Sequence, residues 1–129
     1  MHRSQLAGFI IDCETGDLEH AARFWSEALG FPMQRSADAA EAKYIALDTG
    51  PNGMHIEVQR VDHPSRVHLD IEADDIEAEV QRLEKLGARR IEKVRTWWVM
   101  QAPTGQRFCV VRPQRAAFAQ EANQWPERG

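Results

Sequence analysis

The chain has 129 residues, with 16 lysines and arginines against 20 aspartates and glutamates, for a formal net charge of −4. A hydrophobic share of 43% and a charged share of 28% are ordinary globular values and exclude a disordered or collagen-like chain. No apolar run nears the ~18 residues of a membrane-spanning helix, no stripe of Lys and Arg offers a nucleic-acid surface, and two distant cysteines make neither a disulfide framework nor a four-thiolate zinc site. The expectation is one domain over 1–129 in the cytoplasm, with no nucleic-acid and no membrane partner. Met1, His2, Arg3, Ser4 and Gln5 have no apolar core or cleavage site and do not read as a signal peptide.

In chain order, 6–13 is apolar and β-prone, and reads as a strand. Asp17 then caps a helix whose stripe is Leu18, Ala21, Ala22, Trp25, Ala28 and Leu29, and Gly30 stands where a helix ends in a left-handed residue. Strands follow at 31–35, 43–47 and 54–61, the last two joined by the turn-forming run 48–53. Pro64 marks a join. The strand at 66–72 alternates strictly; Asp74 or Asp75 caps a helix striped by Ile76, Val80, Leu83 and Leu86 and closed by Gly87. Strands at 90–94, 97–101 and 106–112 complete the second half. Glu77, Glu79, Arg82, Glu84 and Lys85 read as a solvated helix face.

Each half is therefore strand, helix, three strands, and one such unit cannot cover both faces of its own sheet. The predicted class is α+β: two βαβββ modules, 5–62 and 66–112, related by a pseudo-twofold axis in a cupped mixed β-sheet, with 113–129 as a tail packing back on the domain or on a second subunit.

Strand parity assigns the faces. With Leu69 and Ile71 toward a helix, His68, Asp70 and Glu72 face the concave side. By the same rule His55, Glu57 and Gln59 face it, as do Arg107, Cys109 and Val111, and Gly8, Ile10 and Asp12. Of the adjacent Trp97 and Trp98 one faces the groove, and Trp98 is assigned there with Tyr44 and Met100, although Tyr44 and Met100 equally suit a core. Arg107 reads either as an anion clamp or as the partner of Glu57 or Asp70. Cys109 reads as a soft ligand or nucleophile, or as a small buried thiol.

The residues Asp17-Leu18, Phe24-Trp25 and Leu29-Gly30-Phe31, the run Val67-His68-Leu69-Asp70-Ile71, and Pro103-Thr104-Gly105-Gln106-Arg107-Phe108-Cys109-Val110 resemble the vicinal oxygen chelate superfamily. Its glyoxalase-like subgroup is the nearest match, with a tail ending as Ala122-Asn123-Gln124-Trp125-Pro126 does here. That superfamily includes glyoxalase I, extradiol dioxygenases and bleomycin-resistance proteins. The resemblance implies a homodimer, which light scattering showing only monomer at high concentration would contradict. It also implies metal ligands on the first, fourth, fifth and eighth strands. Mapped here, these are Gly8 or Ile10, Glu57, His68 and Cys109, so two of the four places carry a usual ligand.

His55 shares a strand face with Glu57 and would supply a third donor beside His68. The competing reading makes His55 and His68 groove histidines bonded to Glu57 or Asp70. Two functions follow. One is a small-molecule-binding protein with a degenerate metal site. The other is a metal-dependent lyase, isomerase or dioxygenase acting on vicinal oxygens, with Glu57 and His68 as ligands and His55 or Glu57 moving a proton. Loops at 36–41 and 60–65 would shape the groove.

Overall fold

The structure, a computed structural model, describes residues 1–36 and 42–126. Residues 37–41 of the expected groove loop, and 127–129 of the tail, lie outside the described residues. The elements are β1 (His2–Glu14), α1 (Leu18–Leu29), β2 (Met33–Gln34), β3 (Tyr44–Leu47), β4 (His55–Val61), β5 (Arg66–Ala73), α2 (Ile76–Lys85), β6 (Arg89–Val94), β7 (Trp97–Gln101), β8 (Arg107–Val111), α3 (Phe118–Glu121) and β9 (Asn123–Trp125). The protein is an α+β chain in which strand, helix, three strands occurs twice, in a mixed sheet. It divides into two compact units, Phe9–Val67 and Met1–Gly8 with His68–Gly129.

In the unit of Phe9–Val67 the strand order is β2-β3-β4-β1. The Asp17 carboxylate accepts from the His20 amide and starts α1, and Gly30 ends it at φ 78°, a backbone conformation that costs an L side chain energy. Ala22 is fully buried and, with Leu18, Ala21 and Trp25, covers Ile11, Ile45, Leu47, Ile56 and Val58. The 48–53 run closes the β3–β4 hairpin, where the Asp48 carboxylate accepts from the Gly50 amide.

In the other unit the order is β1-β5-β8-β7-β6, with β9 on β1. The β5–β8 pair is parallel, with Leu69 opposite Phe108 and Asp70 opposite Cys109. Asp75 caps α2 by accepting from the Ala78 amide. Val80 and Leu83 then pack on Ala73, Met100, Phe108 and Val110, each large side chain contributing roughly 1.5–3 kcal/mol by leaving water.

Three sequence expectations are corrected here. Met100 is fully buried in this core and Trp98 packs against it, so both face α2 and not the groove. The β7–β8 register explains this: Met100 lies opposite Phe108 and Trp98 opposite Val110, both core residues. Trp97 thus takes the other face by alternation. Glu79 is not solvated but fully buried, accepting two 2.8 Å bonds from Arg82 and lying 2.7 Å from His2 Nε2. It is covered because the tail returns: β9 pairs with residues 2–4 of β1, the Trp125 indole donates to Ser4 Oγ, and Arg82 stacks 3.9 Å from the Trp125 ring centroid. This return also explains why β1 begins at His2 rather than near residue 6.

Candidate metal centre

The face of β5, β8 and β7 turned away from α2 carries a group of candidate metal donors. Alternation along β5 sends Ile71 and Ala73 into the α2 core and His68 and Asp70 to the other side. Parallel pairing then lays Cys109 beside Asp70, because the two are register partners and side chains of partners share a face. His68, Asp70 and Cys109 each bring one donor atom into a group whose members all lie within 4.8 Å of one another. His68 Nε2 is 3.4 Å from Asp70 Oδ1, with the two side chains only 13% and 10% exposed. Asp70 Oδ1 is buried and has no hydrogen-bond partner among the described residues. A buried oxygen left without a hydrogen bond costs about 1–3 kcal/mol.

One register step away on the same face, Arg107 lies opposite Gln101, and its Nε donates to Gln101 Oε1 at 3.2 Å. Arg107 does not pair with Asp70; the ion partner of that carboxylate is His68. Glu72, also on the face away from α2, is fully buried. It accepts from Gln5 Nε2 and from the backbone amides of Gln114 and Arg115, so it anchors the tail.

In the unit of Phe9–Val67, His55 Nε2 and Glu57 Oε1 are 2.5 Å apart, each side chain about one-fifth exposed at 23% and 22%. Tyr44 stands opposite Gln59, whose amide donates to the Tyr44 hydroxyl at 3.1 Å. Both histidines therefore have carboxylate neighbours of the kind the sequence offered. Sequence reasoning placed Asp70 in the groove and did not count it among the candidate metal ligands. The alternation of His68 and Asp70 was a usable signal, but the parallel β5–β8 contact that adds Cys109 has no local signature.

A family model described as glyoxalase-like domain matches residues 8–111. The chain belongs to the glyoxalase-like domain family. It is thereby a member of the vicinal oxygen chelate superfamily, and its βαβββ repeats and mixed sheet have that superfamily's fold.

Solved structures agree on the fold. Methylmalonyl-CoA epimerase from Mycobacterium tuberculosis superposes with a TM-score of 0.64 at 15% identity, over 88% of this chain and 91% of that one. A methylmalonyl-CoA epimerase in complex with methylmalonyl-CoA and NH4+ gives 0.60 at 16%, over 90% and 97%. A hypothetical protein from Bacillus halodurans gives 0.56 at 15%, over 86% and 96%. No curated protein matches the sequence. Among the described residues, no helix of this glyoxalase-like domain is long and apolar enough to cross a membrane.

Proposed function

We propose that this glyoxalase-like domain holds a divalent cation on His68, Asp70 and Cys109 and uses it to grip a small molecule by two adjacent oxygens. The observation that carries the reading is the convergence of three donors within 4.8 Å, one of them the buried, unbonded Asp70 Oδ1. Imidazole, carboxylate and thiolate together suit a borderline cation such as zinc, and three protein ligands leave a fourth position for substrate. Tetrahedral ligands at about 2.0–2.3 Å from zinc stand roughly 3.5 Å apart, so donors that already lie within 4.8 Å of one another are close to that spacing. When bound, the cation would supply Lewis-acid stabilisation of negative charge on the gripped oxygens.

The activity classes proposed on this basis are lyase, isomerase or dioxygenase. Glu57 and His55 remain proposed as ligand-contacting residues on the strength of their half-buried pair. A homodimer in the cytoplasm is part of the same proposal. Metal-free binding is the second reading, favoured by the approach of His68 to Asp70, which gives the carboxylate a protein neighbour without a cation.

Cobalt titration separates the two. The first reading expects a thiolate-to-cobalt charge-transfer band that disappears in Cys109→Ser, and loss of cobalt binding in His68→Ala. Binding should release protons and weaken as pH falls, because every ligand must be deprotonated. No absorbance change at millimolar cobalt leaves the metal-free reading.

A further inference from the structure

We infer that the ligand of this site carries a carboxylate, which Arg107 receives while the neighbouring oxygens of the same molecule lie at His68, Asp70 and Cys109. The inference rests on the location of the site proposed above and adds the charge of what enters it. Arg107 and Cys109 are two residues apart on β8, hence on one face and about 7 Å apart along the strand. His68 flanks Arg107, one step before the Leu69–Phe108 register pair.

The partners of the half-buried arginines decide the argument. Arg82 meets Glu79, Arg90 meets Glu77 and Glu84, and Arg115 meets Glu121. Arg3 donates to the carbonyls of Ala119 and Ala122. Arg107 has only the neutral amide of Gln101, bonded through Nε, among the described residues. That bond orients the guanidinium and leaves its two terminal nitrogens, the planar fork that matches a carboxylate, without a protein acceptor.

A second cation continues the row. Arg89 is the register partner of Gln101 on β6 and has no carboxylate partner among the described residues. A half-buried guanidinium without a counter-ion is costly, and a ligand carboxylate relieves that cost. Charge on that face is balanced, Arg107 and the exposed Arg89 standing against Glu72 and against Glu92, the register partner of Val99, so the preference for a carboxylate rests on the open fork of Arg107 and not on a net positive field.

The test compares 3,4-dihydroxybenzoate with catechol, two probes with the same vicinal oxygens that differ by one carboxylate. Binding is measured by calorimetry with and without cobalt, and cobalt uptake is followed separately by absorbance. Wild type should bind the carboxylate probe about 10- to 100-fold tighter, the range of a charged hydrogen-bonded pair. Arg107→Ala should erase that preference with cobalt uptake unchanged, and Arg107→Lys should restore part of it. Competition by inorganic phosphate stronger than by acetate would show that the row prefers a phosphate oxyanion and would overturn the carboxylate assignment. Equal binding of the two probes, a preference that survives Arg107→Ala, or no binding of 3,4-dihydroxybenzoate at tens of millimolar would also overturn it. Absence of the cobalt band overturns the cation reading alone, since the preference is still measured in the metal-free protein.

Discussion

Asp70 concentrates the tension between stability and function at the level of one residue. Its Oδ1 is buried without a hydrogen bond, whereas the buried carboxylates of Glu72 and Glu79 in the same unit each accept several. Its ion partner, the His68 imidazole, lies 3.4 Å away without making a hydrogen bond to it. Asp70→Asn removes a buried charge held by that loose contact and should raise the melting temperature in chelator, by the equivalent of about 1 kcal/mol. The same change should abolish the cobalt signal. Thermal melts with and without metal check both halves, and a loss of stability in chelator would show that Asp70 is structural.

At the scale of the element, α2 carries a buried charge cluster rather than a plain polar face. Burial pushes the Glu79 carboxyl up, but hydrogen bonds from Arg82, His2 and Ser4 outweigh it and hold the group below its ordinary 4.5. A carboxyl held low in the folded state stabilises it above the unfolded value, and that contribution is lost as pH falls through the lower folded value. Glu79→Gln should cost about 3 kcal/mol at neutral pH and flatten the loss of stability as pH falls below the ordinary carboxyl value of 4.5. Urea melts across that range measure it.

Much at this scale was legible in the sequence. Asp17, Asp75 and Gly30 act as the caps their residue types suggest, and the alternation of β5 and β8 assigned their faces. Trp98 and Met100 were not legible, because β7 is apolar on both faces and alternation has no contrast to read. Glu79 was hidden for the opposite reason: it stands among Glu77, Arg82 and Glu84, and only the returning tail distinguishes it.

On the scale of the whole molecule, the segment after β8 completes the unit it joins. Backbone amides of Gln114 and Arg115 cap Glu72, Arg3 holds the carbonyls of Ala119 and Ala122, and β9 lies on β1. Deleting residues 113–129 should cost about 3 kcal/mol or more, because the Glu72 carboxylate loses two backbone amides and keeps only the Gln5 side chain, and the Trp125 contacts to Ser4 and Arg82 go with them. Glu72→Gln in the shortened chain should recover part of that loss, by removing the charge. Calorimetric Tm values for the three proteins test the pair, and a truncation that melts like the full chain would refute it.

The bond from Trp125 to Ser4 spans 121 positions. At about 5–20 residues per second of synthesis, Ser4 leaves the ribosome roughly ten seconds before its partner exists. Through that interval the opening strand presents an unpaired edge, and the His2 imidazole lacks its covering. A nascent chain of this kind offers chaperones a long window at the segment 2–4, which closes only when residues 123–125 have emerged to pair with it.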